Sequence, residues 1–283
     1  MKKINEQVIT TLLDDDDPMS VIEAMRLALD QTDDPMRFIA AHQDDSSPLI
    51  RRHVQQLSVI LNQQMEYQAF LRGFKSKRLS FWDGIFMISI MSEGRTNRDH
   101  LHQQFDIFAD GILESARSGV PMKTSELIQA VKESPLHVPR GLDYFHVYNL
   151  FLTDIMDTGN CHPVVLCEIV RQLGIRVGWY AAIVMYDGMY MLKTAEGTVI
   201  SPDNDWNVVQ KATENQYHVC SNDELLKVYL GLMHMMSIVS RRPIGVYGSA
   251  RILADMLHLN RQDMLYPIGS KKLRPGKILS PAP

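Results

Sequence analysis

The chain has 283 residues, of which 45% are hydrophobic and 22% are charged, and its formal net charge is −4. These values are ordinary for a globular protein, and the negative net charge excludes binding to nucleic acid or to an anionic membrane by overall charge attraction. No stretch approaches the roughly 18 apolar residues of a membrane span, and Met1–Glu6 has no apolar signal segment, so we expect a cytoplasmic protein without membrane or nucleic-acid partners.

Residues 1–135 are predicted to form successive helices, which we interpret as a helical leader layer. Asp17-Pro18 and Ser47-Pro48 each combine a favoured N-cap residue with a proline suited to the first helical turn. Leu79–Met91 is apolar on all sides, which indicates a buried helix, whereas Asp99–Arg117 is amphipathic.

The middle of the chain changes from helix to strand patterns. An aromatic face predicts a helix over Asp143–Met156, and Gly159 is suited to end it in a left-handed conformation. Cys161-His162-Pro163 then begins an apolar helix that is predicted to close at Leu173-Gly174.

Three strands are predicted next, and they form an antiparallel meander. Arg176–Tyr186 is rich in Val, Ile, Tyr and Trp, and the Asp187-Gly188 hairpin signal joins it to Met189–Thr194. A second turn at Glu196-Gly197 leads to Thr198–Ser201.

The last part of the chain is predicted to be helical and then flexible. Asn222 is expected to cap an apolar helix, and a further helix is predicted over Ser249–Leu257. Residues 267–283 contain basic residues among Gly and Pro, which is typical of a flexible tail.

Cys161 is the candidate nucleophile, because a thiol at a helix N-terminus faces the positive end of the helix dipole, which favours the thiolate. The other two cysteines are interpreted as structural: Cys167 as a core residue and Cys220 as an inert thiol. Three cysteines are too few for a disulfide framework or a cysteine zinc site, so we expect reduced thiols. His100 and His102 are two residues apart, on different helix faces, so no metal site is predicted. No cofactor is predicted either.

A helix that opens with cysteine and is followed by an antiparallel meander resembles the transglutaminase-like superfamily, and more specifically its bacterial SirB-type branch. The segments that carry the resemblance, in chain order, are Phe105–Ala109, His146–Leu152, Gly159–Arg176, Asp187–Lys193 and Ile200–Asn204. The resemblance covers about residues 70–240, and the order of the segments is its main support.

The resemblance implies a mostly helical α+β fold with a papain-like transglutaminase core, in which a nucleophile helix packs on a small antiparallel sheet. We predict a leader layer at 1–135, the core at 136–215, a helical, tetratricopeptide-like C-terminal layer at 216–266, and the basic tail at 267–283. The resemblance further implies a Cys/His/Asp site with Cys161 as nucleophile and Asp203 in the orienting position, which Asn204 could also occupy.

One departure from the family pattern concerns the general base. Where the family strand has a histidine after the glycine, this chain has Met189, which cannot accept a proton near neutral pH. The histidines that could replace it are His162, next to the cysteine, His146 on the preceding helix, and His218 beyond the meander.

We therefore predict a transglutaminase-like protein with a degenerate site that binds another protein or a peptide and acts as a regulatory module. The alternative is an active cysteine amidase, peptidase or acyltransferase that uses Cys161 and a histidine from an unexpected position. A third hypothesis is a helical adaptor, because residues 1–50 carry 11 Asp and Glu against 4 Lys and Arg and could dock on a basic partner. The oligomeric state is left open.

Overall fold

The computed structural model describes residues 6–32, 34–93, 98–114, 122–209 and 216–259. Within these ranges the α-helices are α1 (Glu6–Leu13), α2 (Pro18–Gln31), α3 (Pro35–His42), α4 (Pro48–Lys75), α5 (Phe81–Glu93), α6 (Arg98–Glu114), α7 (Thr124–Glu133), α8 (Leu152–Thr158), α9 (Pro163–Arg176), α10 (Asn222–Val239) and α11 (Pro243–Leu257). The strands are β1 (Ala181–Tyr186), β2 (Met189–Thr194), β3 (Val199–Ser201), β4 (Asn207–Val209) and β5 (His218–Val219). The protein is mostly helical with one small antiparallel sheet, which confirms the predicted α+β class. Of the helices in these ranges, none has the length and apolarity needed to cross a membrane.

The chain divides into two compact units whose segments alternate along the sequence. The first comprises Met1–Phe70 and Phe86–Leu101, and the second comprises Leu71–Ile85 and His102–Pro283. The predicted four-part division of the chain is a different partition and stays a prediction. Its basic tail, 267–283, lies outside the described residues.

The first unit is built from helices whose starts are set by capping residues and prolines. Asp17 accepts a hydrogen bond from the Ser20 backbone N–H at 2.9 Å, and α2 begins at the next residue, Pro18. Helix α4 begins at Pro48, so both predicted start signals are confirmed. One cluster of buried apolar residues in this unit comprises Ile9, Leu13, Ala24, Leu27, Ala28, Phe38, Ile39, Ile50, Val54 and Leu57.

The second unit is organised around α9 and the sheet. Ten of the fourteen residues of α9 are buried, and the helix packs against β1 and β2. The sheet is antiparallel, with strand order β4-β3-β2-β1-β5. The predicted meander is therefore confirmed as β1–β2–β3, and Asp187 and Gly188 form its first turn with positive φ values of 48° and 76°. Strands β4 and β5 were not predicted from the sequence, since they have only three and two residues.

The helix predicted over Asp143–Met156 is wrong. Two 3₁₀ turns, Gly141–Phe145 and Val147–Leu150, precede the short helix α8. The reason is the buried side chain of Asn149, whose amide donates to the carbonyls of Asp143 (2.6 Å) and Tyr144 (3.3 Å). Those carbonyls would otherwise accept the helical hydrogen bonds of residues 147 and 148.

Two predicted helix starts near the C-terminus are also corrected. Ser221, and not Asn222, caps α10, through a capping box with Glu224. The Asn222 side chain instead accepts a hydrogen bond from the Phe81 backbone N–H at 3.1 Å. Helix α11 begins at Pro243, six residues before the predicted Ser249.

Gly159 provides a test of how tightly the chain turns before α9. It and Gly188 have the same φ of +76°, but a Cβ at Gly159 would lie 2.1 Å from the Pro135 carbonyl oxygen, whereas a Cβ at Gly188 would meet nothing within 4 Å. We expect Gly188→Ala to cost about 1–2 kcal/mol, the conformational penalty alone. Gly159→Ala should lower the free energy of unfolding by about 2 kcal/mol more, because backbone atoms must also move. Urea denaturation of both variants measures the difference, and equal losses would contradict the close approach.

Candidate functional site

The segment that carries the candidate nucleophile, residues 159–163, is held by backbone hydrogen bonds to His137. The His137 N–H donates to the Gly159 carbonyl at 2.9 Å, and the Cys161 N–H donates to the His137 carbonyl at 3.0 Å. Gly159 ends α8 in the left-handed conformation, as predicted from the sequence. We call residues 159–163 the cysteine segment.

The thiol of Cys161 is fully buried, with 0% of the residue exposed. It donates a weak hydrogen bond to the His162 carbonyl, with a sulfur–oxygen distance of 3.6 Å. Burial, and secondarily the neighbouring Cys167, raises the pKa of the Cys161 thiol well above its ordinary value. Burial therefore opposes the thiolate that the helix dipole would favour.

His162 is the N-cap of α9, and this role uses the lone pair that a general base would need. Its Nδ1 accepts the Val164 N–H at 3.3 Å, so this nitrogen carries no proton. The neutral ring then has its proton on Nε2, which donates to the Tyr144 hydroxyl oxygen at 3.1 Å. Burial lowers the pKa of His162 to about 4, which keeps the ring neutral. His162 cannot take a proton from Cys161 without losing the cap.

The other candidate histidines are engaged elsewhere. His146 lies 3.7 Å from the Asp143 carboxylate, and His218 lies 3.0 Å from the Glu224 carboxylate; both imidazoles are about half exposed. Among the described residues, no imidazole is hydrogen-bonded to the Cys161 sulfur.

Met189, where the sequence resemblance predicts a histidine, lies on the sheet face away from α9. Side chains alternate along a strand, so Met189 shares a sheet face with Met191, which packs with Val184 and Val199 in a cluster that contains no residue of α9. Tyr190 points to the opposite face. Its pKa is raised by burial and then by the charges of Cys220 and Tyr144.

Asp203 lies in the 3₁₀ turn Pro202–Asn204, which follows β3. Its pKa is raised by burial, and its charge in turn contributes to the raised pKa values of Tyr144 and Cys167. The structure thus brings Asp203 near Tyr144 and Cys167, but not into a hydrogen bond with Cys161. Asn204 is exposed.

A cleft of about 470 Å³ lies beside this turn. It is lined by Lys132, Ser134, Pro135, Leu136, His137, Val138, Pro139, Arg140, Gly141, Tyr144, Phe145, Leu166, Pro202, Asp203, Asp205 and Trp206. Asp203 lines this cleft and Cys161 does not, so the two predicted site residues have different surroundings.

The segment 136–140 forms one wall of the cleft. It was not predicted from the sequence as part of a site. His137 directs its backbone groups towards the cysteine segment, and in an extended chain the adjacent residues direct theirs to the other side. The Leu136 N–H is bonded to the Ser134 hydroxyl at 3.2 Å. No partner within the described ranges pairs with the backbone N–H or C=O of Val138. The only sequence signal for this wall is the pair Pro135 and Pro139, which favours extended backbone.

Comparison with known protein families, curated proteins and solved structures found no match to this chain. As far as the described residues show, there is also no cluster of three or more His, Cys, Asp or Glu side chains that could hold a metal ion.

The buried, neutral His162 predicts a specific dependence of stability on pH. Because the pKa of His162 is about 4 when folded and about 6.5 when unfolded, the unfolded chain takes up a proton first on acidification. The folded protein should therefore lose up to about 3 kcal/mol from this group as the pH falls from 6.5 to 4. His162→Asn keeps a capping acceptor but does not titrate. Urea denaturation between pH 7.5 and 4 should give a shallower pH dependence for the variant, and parallel curves would contradict the assignment.

Proposed function

We propose that the protein is a transglutaminase-like binding module that holds an extended peptide segment of another protein in the cleft and performs no cysteine catalysis. The observation that carries the proposal is the separation of the two parts of the site. The cleft is open to solvent, whereas the Cys161 thiol is fully buried and does not line it.

Within the described residues, the surroundings of Cys161 lack what a cysteine nucleophile needs. The attacking species is the thiolate, and it needs a base within hydrogen-bonding reach and access to the substrate carbonyl. Burial raises the pKa of the Cys161 thiol, and the lone pair of His162 is used by the Val164 N–H. Each of these features works against an activated nucleophile.

The family assignment within this proposal is supported by the order and packing of the elements. Cys161 directly precedes the N-cap of a buried helix, that helix packs on an antiparallel meander, and Asp203 follows the third strand. The resemblance in the sequence predicts this order for a papain-like transglutaminase core. The core itself remains part of the proposal.

Peptide binding is supported by the backbone N–H and C=O of Val138, which have no partner among the described residues. An extended peptide that lies along residues 136–140 could donate to the Val138 carbonyl and accept from its N–H, as in the addition of a strand to a sheet edge. The cleft has room for a few side chains next to this edge, and its lining is both aromatic and charged. Main-chain bonds would give affinity, and the lining would give selectivity.

Peptide binding can be tested by panning random dodecapeptides displayed on phage against the full chain. We expect enriched peptides that, when synthesised with a photo-crosslinking residue, crosslink to residues 132–141 or 202–206. N-methylation of the peptide amide that pairs with Val138 should weaken binding about fivefold, the contribution of one net hydrogen bond. Failure to enrich any peptide, or crosslinks confined to other parts of the chain, would contradict the proposal.

Thiol reactivity distinguishes the binding module from the alternative cysteine enzyme. Cys161 and Cys167 are buried, whereas Cys220 is partly exposed, with its pKa raised by burial and by Glu224. In the native protein, iodoacetamide should therefore label Cys220 first. It should reach Cys161 at least about 100-fold more slowly at pH 7.5, since that reaction needs local opening. Mass spectrometry of digests gives both rates. Rapid labelling of Cys161 at neutral pH would favour the enzyme.

A further inference from the structure

We infer that the cleft selects peptides with a lysine or arginine, whose cationic side chain binds the Asp203 carboxylate in the part of the cleft that Tyr144 and Trp206 also line. This inference rests on the peptide binding proposed above and adds the chemistry of the bound side chain.

The first observation is a carboxylate without a counterion. Asp203 lines the cleft, and no cation among the described residues forms an ion pair or hydrogen bond with it. The neighbouring Asp205, in contrast, lies 3.4 Å from the Lys132 ammonium. Burial raises the pKa of the Asp203 carboxyl. The carboxylate of Asp203 is therefore available to form an ion pair with a cationic group of a ligand.

The second observation is that the negative field of Asp203 reaches other groups of the same wall. Its charge contributes to the raised pKa of Tyr144, which also lines the cleft, and of Cys167 behind it. A cation placed beside Asp203 would therefore interact favourably with its carboxylate. Lys132 and Arg140 also line the cleft, and Lys132 is ion-paired with Asp205.

The third observation is the aromatic surface next to the carboxylate. Tyr144, Phe145 and Trp206 are among the residues that line the cleft, and Trp206 is 6% exposed and thus firmly packed. Aromatic faces attract ammonium and guanidinium groups and also accommodate the apolar stems of Lys and Arg. The His162 Nε2–H occupies a lone pair of the Tyr144 oxygen, so the ring is held in one orientation.

Two adjacent left-handed residues hold this corner in place. Asp205 and Trp206 have φ values of 48° and 57°, a conformation that non-glycine residues rarely adopt. The turn directs Asp205 towards Lys132, and Asp203 has no ion-pair or hydrogen-bond partner among the described residues. Asp203, Asp205 and Trp206 thus line the cleft from within four consecutive residues.

The test repeats the phage panning with the wild-type full chain, with Asp203→Asn and with the control Asp187→Asn. Asp187 is a hairpin residue outside the cleft, at a left-handed position that Asn tolerates. We expect Lys or Arg to be enriched at one position with wild type and control, and this enrichment to disappear with Asp203→Asn, while thermal unfolding shows all three proteins folded. Enrichment that persists with Asp203→Asn would overturn the inference.

Synthetic peptides provide the matched measurement. Replacement of the selected Arg by citrulline, or of Lys by acetyl-lysine, removes the charge and keeps the shape. It should weaken binding to wild type about tenfold, as for a charge-assisted hydrogen bond, and should leave binding to Asp203→Asn unchanged. Equal losses on both proteins would overturn the role of Asp203.

The outcomes separate this inference from the proposal on which it rests. Enriched peptides without a preferred basic residue would overturn the inference and leave peptide binding intact. No enriched peptide would overturn both. Binding of spermidine without binding of any peptide would show that the occupant is a free polyamine, and would likewise overturn both.

Discussion

The second unit depends on how the cysteine segment is held. Its backbone is bonded to His137 on both sides of Asn160, the His162 N–H is bonded to the Asn149 carbonyl at 2.9 Å, and the His162 ring caps α9. Because the bonds to His137 and Asn149 join backbone groups, they fix the course of the chain into α9, and the His162 side chain completes the start of the helix. Cys161 is buried in this arrangement, and the backbone N–H and C=O of Val138 have no partner among the described residues. The same set of hydrogen bonds thus accompanies the burial of the Cys161 thiol and the solvent exposure of the cleft wall.

The state of Cys161 follows from two competing free energies. A helix N-terminus stabilises a nearby negative charge by about 0.3–1 kcal/mol, and the effect falls off within the first turn. Removal of a charge from water costs several kcal/mol unless a partner compensates it. Cys161 precedes the N-cap, so it lies outside the first turn, and its hydrogen bond is to a carbonyl, which does not stabilise a thiolate. Desolvation therefore wins, and an apparently activated position contains a neutral thiol.

The sequence was sufficient wherever a local rule had no strong competitor. Asp17-Pro18 started a helix, Asp187-Gly188 closed a hairpin and Gly159 ended a helix, because each depends on backbone preferences within a few residues. It failed where a distant group intervened. Asn149 takes the carbonyls of Asp143 and Tyr144, so an aromatic helical pattern became two 3₁₀ turns. Of the site, the sequence indicated Cys161 and Asp203. The different surroundings of these two residues, and the cleft wall at residues 136–140, arise from tertiary packing. The hydrophobic periodicity of the sequence therefore does not indicate them.

Backbone strain adds a further argument that the cleft is a built feature of the fold. A non-glycine residue in the left-handed region costs roughly 1–2 kcal/mol, and here two such residues, Asp205 and Trp206, are consecutive. Such a conformation persists only when surrounding contacts over-determine it, and strained residues concentrate at binding and catalytic sites. The burial of Trp206 and the ion pair between Asp205 and Lys132 are contacts of this kind. This pair of strained residues therefore lies beside Asp203 at the cleft and not at Cys161.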